Sequence, residues 1–123
     1  MASENGKGRL TTHVLDTTRG RPAAGLALSL WRFDEDGEAE LILRTQTNED
    51  GRTDAPLLDG DAFEPGAYEI VFEAGAWLAE AGAPVADPPF LDDVPIRFAM
   101  AEETHYHVPL LLSAHGYSTY RGS

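Results

Sequence analysis

Cysteine is absent from this chain of 123 residues. Disulfide cross-links, thiolate nucleophiles and thiolate metal sites are therefore excluded, and a reducing compartment would suit the chain. Basic residues are few: nine Lys and Arg stand against 21 Asp and Glu, for a net charge of −12. Affinity for phosphate comes from clustered cations, so the overall field repels nucleic acid and anionic membrane surfaces, and neither is expected as a partner. Long apolar runs are missing too, since the longest falls far short of the roughly 20 residues that span a bilayer. The stretch 1–8 lacks the apolar segment of a signal peptide, which leaves a cytoplasmic location as the expectation.

What is present argues for a folded domain. Apolar residues make up 42% of the chain, with two Trp, five Phe and four Tyr, too much for a disordered acidic segment. A chain of this length folds as one domain and buries roughly two-thirds of its unfolded surface. The expected organisation is a flexible segment over residues 1–8 and a single domain over 9–123, without internal repeat or linker.

Short apolar stretches separated by turn signals predict an all-β sandwich. The first strand is expected over 10–16, and the turn-rich stretch 17–22 follows, where Gly20 and Pro22 break extended pairing. Leu26, Leu28 and Leu30 alternate with Ala27, Ser29 and Trp31, which gives a second strand with two partly apolar faces, hence a central one. Further strands are expected over 39–47, 67–73, 94–100, 104–112 and 117 to about 121. Pro95 marks an edge or a bulge. The run Asn48-Glu49-Asp50-Gly51-Arg52 is a turn in which Gly51 suits a positive φ. Residues 59–66 are expected as a loop, and 74–82 as one short helix, rich in Ala and stopped by Gly82 and Pro84.

The histidines fall on a particular face. On the penultimate strand His105 and His107 are two apart and project with Pro109 and Leu111, whereas Tyr106, Val108, Leu110 and Leu112 form the better core face. Thr11, His13 and Leu15 make the same kind of mixed outward face on the first strand. A face of His, Pro and Leu points to coverage by another subunit. A His-X-His pair aims both rings one way, as a metal site would, but a third ligand at suitable spacing and a His-Glu-X-X-His helix are both missing. No metal or other cofactor is expected. Arg52, read alone, is a surface cation beside neighbouring carboxylates.

Three ordered blocks change that reading. Leu10-Thr11-Thr12-His13-Val14-Leu15-Asp16, then Thr47-Asn48-Glu49-Asp50-Gly51-Arg52, then His105-Tyr106-His107-Val108-Pro109-Leu110-Leu111-Leu112-Ser113 with the terminal Tyr117-Ser118-Thr119-Tyr120-Arg121-Gly122-Ser123, resemble the 5-hydroxyisourate hydrolases, the transthyretin-like proteins of purine catabolism. The resemblance runs from Arg9 to Ser123 and departs locally at Leu91-Asp92-Asp93. It implies a transthyretin-like β-sandwich of two four-stranded sheets with one short helix, assembled as a homotetramer of two dimers around a central channel. It implies hydrolysis of 5-hydroxyisourate, a cyclic amide, to 2-oxo-4-hydroxy-4-carboxy-5-ureidoimidazoline in urate breakdown.

Site roles follow from the resemblance position by position. His13, Arg52, His107 and Ser123 are the implied catalytic set. His13, Arg52 and Tyr120 are the implied substrate contacts, with His105, Arg121 and Gly122 in support. One imidazole, His107 or His13 ahead of His105, would take a proton from water, and Arg52 would meet the developing negative charge. The alternative is a transthyretin-type carrier of small ligands that uses the same channel.

Overall fold

A computed structural model describes residues 8–122. The expected flexible segment, apart from Gly8, and the terminal Ser123 lie outside the described residues. Among the described residues nine strands and one α-helix follow in chain order: β1 (Arg9–Asp16), β2 (Arg21–Pro22), β3 (Ala27–Phe33), β4 (Ala39–Gln46), β5 (Leu58–Asp59), β6 (Gly66–Phe72), α1 (Ala74–Glu80), β7 (Val94–Met100), β8 (His105–Leu112) and β9 (Tyr117–Thr119).

The strands form two sheets. One has the order β2-β1-β8-β9, with β5 also paired to β1; the other has the order β4-β3-β6-β7. Four strands per sheet were expected, and the fifth of the first sheet is the two-residue β5. Most pairings are antiparallel, but β1 and β8 run parallel along their whole length, with Thr11 opposite His107 and His13 opposite Pro109. β3 is central, and β7, which carries Pro95, is an edge strand, where a missing backbone N–H costs least.

The core lies between the sheets. Leu28, Leu30, Ile70 and Phe72 of the second sheet meet Leu10, Val14, Leu110 and Leu112 of the first, all of them essentially inaccessible. The polar groups that enter this layer are satisfied: Thr12 Oγ1 donates to the Val108 carbonyl at 2.7 Å, and Thr47 Oγ1 to that of Ala23 at 2.6 Å. Tyr106 places its ring in the core, and its phenol oxygen accepts from the backbone N–H groups of Ala101 and Glu102, both at 3.0 Å. Among the described residues no buried side-chain polar atom lacks a partner, as the cost of an unmet buried donor requires.

Three boundaries differ from expectation for identifiable reasons. Arg21 and Pro22 pair with Asp16 and Leu15 rather than ending the sheet, because at this edge the missing N–H of Pro22 faces no further strand. Leu58 and Asp59, the second of which was expected to open a loop, pair with Leu10 and Arg9. The helix ends at Glu80, and Gly82 takes a φ of 78° in the turn beyond it. Gly75 fits this helix against the loop before β7, because a Cβ there would run into the Leu91 carbonyl oxygen. Among the described residues no helix is long and apolar enough to cross a membrane.

Candidate active site

Alternation along β1 and β8 builds the site. Their inward residues fill the core, which leaves Thr11 and His13 of β1 and His105 and His107 of β8 half-buried on the opposite face. The parallel register sets these side chains side by side. The ring centroids of His13 and His107 are 6.5 Å apart, and those of His105 and His107 are 6.4 Å apart.

Arg52 reaches this face through a tight turn. Asn48 Oδ1 accepts the N–H groups of Asp50 at 2.8 Å and Arg52 at 3.2 Å, and the Arg52 carbonyl accepts the Asn48 N–H at 2.7 Å. Gly51, at φ 78°, gives its carbonyl to the N–H of Val14 at 2.8 Å, and the turn is thereby fixed to β1 with His13 opposite Arg52. A side chain at Gly51 would place Cβ 2.5 Å from the Val14 carbonyl oxygen and 3.1 Å from His13 Cδ2. Glycine is needed both for the left-handed backbone and for the close approach.

His107 is held in a comparable way. After β9 the chain stays in register with β8: Leu110 faces Thr119, and three residues along each strand His107 faces Gly122. Between them Pro109 offers no N–H, so regular pairing stops at Thr119 and resumes at Gly122, whose N–H donates to the His107 carbonyl at 2.7 Å. A Cβ at Gly122 would come within 2.7 Å of His107 Cδ2. On the other side of the ring, His107 Nδ1 lies 2.9 Å from Thr11 Oγ1. Thr11 Oγ1 also lies 2.8 Å from His105 Nε2.

The electrostatics favour neutral imidazoles. Partial burial lowers the pKa of His107, and the Arg52 guanidinium lowers it further, followed by His105 and His13. His13 is lowered by burial and then by Arg52, against the opposing effects of a ring hydrogen bond to the Asp50 backbone carbonyl and of the Asp50 charge. His105 is lowered by burial and by Arg9. Among the described residues Arg52 enters no side-chain ion pair, whereas Arg19, Arg32, Arg44 and Arg97 each do. Arg52 is exposed, as a surface cation would be, but no carboxylate among the described residues pairs with it. Arg9, Thr11, Arg52, Thr53, His105 and His107 border an open cleft of about 350 Å³, near the lower end of the range for small-molecule sites. Neutral imidazole bases beside an unpaired guanidinium in such a cleft can take a proton from water and meet a developing anion.

The expected site residues divide. Arg52, His105 and His107 border the cleft, from the turn after β4 and from β8, while His13 of β1 and Gly122 after β9 do not line it but lie opposite Arg52 and His107 in the same chain. Tyr120 and Arg121 do not join the cleft; they border a second one, of about 360 Å³, with Ile96, Phe98 and Tyr106. Tyr120 is 59% exposed, and the Arg121 guanidinium lies 4.2 Å from the Tyr106 ring centroid. Ser123 is outside the described residues. Spacing alone does not single out Thr11 as a partner of both histidines. Its signal was its place two residues before His13 on the same face, and it needed the parallel register to be read.

Known proteins resemble the chain along nearly its whole length. The model of the HIUase/Transthyretin family matches residues 10–122. A 5-hydroxyisourate hydrolase of Mesorhizobium japonicum is 61% identical over 117 residues, covering 94% of this chain and 93% of that protein. The solved structure of Klebsiella pneumoniae 5-hydroxyisourate hydrolase superposes with a TM-score of 0.78 at 36% identity, covering 94% of this chain and 99% of that one. A crystal structure of (S)-allantoin synthase superposes with a TM-score of 0.90 at 43% identity; it covers 96% of this chain, which spans 44% of that longer one. With its sandwich, its outward histidines and this near full-length match, the chain belongs to the HIUase/Transthyretin family.

Proposed function

We propose that this protein hydrolyses 5-hydroxyisourate. The observation that carries the reading is the convergence of His13, Arg52 and His107 from three distant segments on one face, with both imidazoles shifted toward the neutral form. Relatives named 5-hydroxyisourate hydrolase at up to 61% identity support it.

Water is a weak nucleophile toward an amide carbonyl. A neutral imidazole, at His107 or His13, takes a proton from water as the oxygen bonds to the ring carbonyl carbon. The electron pair of the C=O bond moves to oxygen, and the Arg52 guanidinium offsets that charge with donors in a rigid fork. Collapse of the tetrahedral intermediate breaks the C–N bond, and the imidazolium returns its proton to the departing nitrogen. The product carries a carboxylate and an open ureido arm. Each step uses groups of this chain and needs no cofactor.

The homotetramer of two dimers, the place in urate breakdown and the cytoplasmic location that the resemblance implies belong to the same proposal. So do the substrate-binding role of Tyr120 and the catalytic role of Ser123. The position of Tyr120 away from the His and Arg cleft of its own chain supports an arrangement in which the terminus of one subunit serves the site of another.

The test is direct. Urate oxidase generates 5-hydroxyisourate from urate, and the absorbance decay is followed with and without this protein. The expected result is decay well above the spontaneous rate at micromolar protein. An unchanged rate would favour the carrier reading of the same channel.

A further inference from the structure

Thr11 is the outward residue of β1 that falls opposite His107. Its hydroxyl oxygen lies within hydrogen-bond distance of two imidazole nitrogens, 2.8 Å from His105 Nε2 and 2.9 Å from His107 Nδ1. A hydroxyl has one hydrogen and two lone pairs, so it donates to at most one of the two nitrogens, and when its hydrogen is used between the rings it donates to one and accepts from the other. The three groups therefore form a chain with one of two polarities. In the first, His107 Nδ1–H donates to Thr11, Thr11 donates to His105 Nε2, and His107 Nε2 keeps a free lone pair. In the second every donor reverses, and His107 Nε2 carries the hydrogen.

We propose that Thr11 is a positioning residue that fixes the first polarity: it accepts from His107 Nδ1, gives its own hydrogen to His105, and leaves His107 Nε2 as the base. The proposal rests on the hydrolase reading only for the use made of that lone pair. Three features select the polarity and the geometry. The cation that acts on His107 is Arg52, while Arg9 acts on His105. His107 and Arg52 border the same cleft, Nδ1 is taken up by Thr11, and an Nε2 lone pair turned toward the guanidinium would be attracted to it, where an N–H would be repelled. Turning the ring over would forfeit its hydrogen bond to Thr11, because the Cδ2 edge lies toward Gly122 while Nδ1 meets Thr11. The hydrogen bond made by one ring nitrogen decides the protonation of the other. His105 Nε2 is meanwhile engaged by Thr11, so this arrangement assigns His105 a supporting part.

The experiment compares wild type, Thr11→Val and Thr11→Ser by proton–nitrogen correlation NMR of the histidine rings and by steady-state kinetics on 5-hydroxyisourate. The wild type should hold His107 as the Nδ1–H tautomer, and Thr11→Ser should keep it. Thr11→Val should mix the two tautomers and lower kcat by about 10-fold to 100-fold with KM changed less than about 3-fold, as losing the partner of a functional imidazole does. Wild-type His107 in the Nε2–H form would overturn the proposal, as would a folded Thr11→Val protein with unchanged tautomer and kcat. The wild-type tautomer can be read without any variant and without turnover. A wild type with the expected tautomer but no effect on 5-hydroxyisourate would sink the hydrolase reading and leave the Thr11 hydrogen-bond chain standing.

Discussion

The two faces of the β1 and β8 pair come from the same two strands, yet they do opposite work. Inward, Leu10, Val14, Leu110 and Leu112 are fully buried, and Thr12 and Tyr106 are satisfied by backbone partners. Outward, Thr11, His13, His105 and His107 are half-buried, and the three imidazoles are held below their ordinary pKa. A period of two divides stability from chemistry residue by residue. Folding to the core thereby creates the site, since sealing one face against the second sheet leaves the other rigid and available.

That division predicts a double dissociation, which carries the largest expected effects. His107→Asn and Arg52→Ala should each lower kcat/KM by about 10²-fold or more while leaving the thermal midpoint nearly unchanged. Leu110→Ala should instead cost about 2–5 kcal/mol of stability, with the activity per folded molecule retained. Thermal unfolding and the 5-hydroxyisourate decay assay on the same preparations check both arms. An inward variant that lost activity while fully folded would break the comparison.

Gly51 and Gly122 sharpen it, because they belong to backbone that touches the outward rings. Gly122→Ala should push the His107 ring and cost about 10-fold in kcat with little change in stability, as small misplacements of reacting groups do. Gly51→Ala should do more harm, since its left-handed backbone adds roughly 1–3 kcal/mol of strain to the displacement of His13. Both effects are read by kinetics alongside the thermal midpoint.

How much of this was legible in the sequence follows the range of the interactions. The alternation of His105 and His107 against Tyr106, Val108 and Leu110 is local, and it predicted both faces of β8. The same logic found β1, β3, the edge strand with Pro95, and the turn that presents Arg52. Pairings that depend on a distant partner were not legible: Arg21–Pro22 and Leu58–Asp59 become strands only because β1 offers them a ladder. Thr11 was placed on the correct face, but its contacts with His105 and His107 depend on residues more than 90 positions away and on a parallel register that no local pattern encodes. The position of Tyr120 in a different cleft was illegible for another reason. It depends on how the segment after β9 packs beside Ile96, Phe98 and Tyr106, which no local pattern encodes.

The central claim is that the outward face works with neutral imidazoles beside a cation, and the wild-type pH–rate profile tests it most directly. Burial and Arg52 lower the pKa values of His13 and His107, so both rings are neutral at pH 7 and become charged only as pH falls below the ordinary imidazole value of about 6.5. The unfolded chain takes up those protons first, so stability should also decline on the acid side. kcat/KM on 5-hydroxyisourate should therefore be level from about pH 7 to 8.5 and fall along a single acid limb with an apparent pKa below about 6.5. A rate that rose as pH dropped from 7 to about 5.5 would mean that an imidazolium is the active form, and would contradict the account.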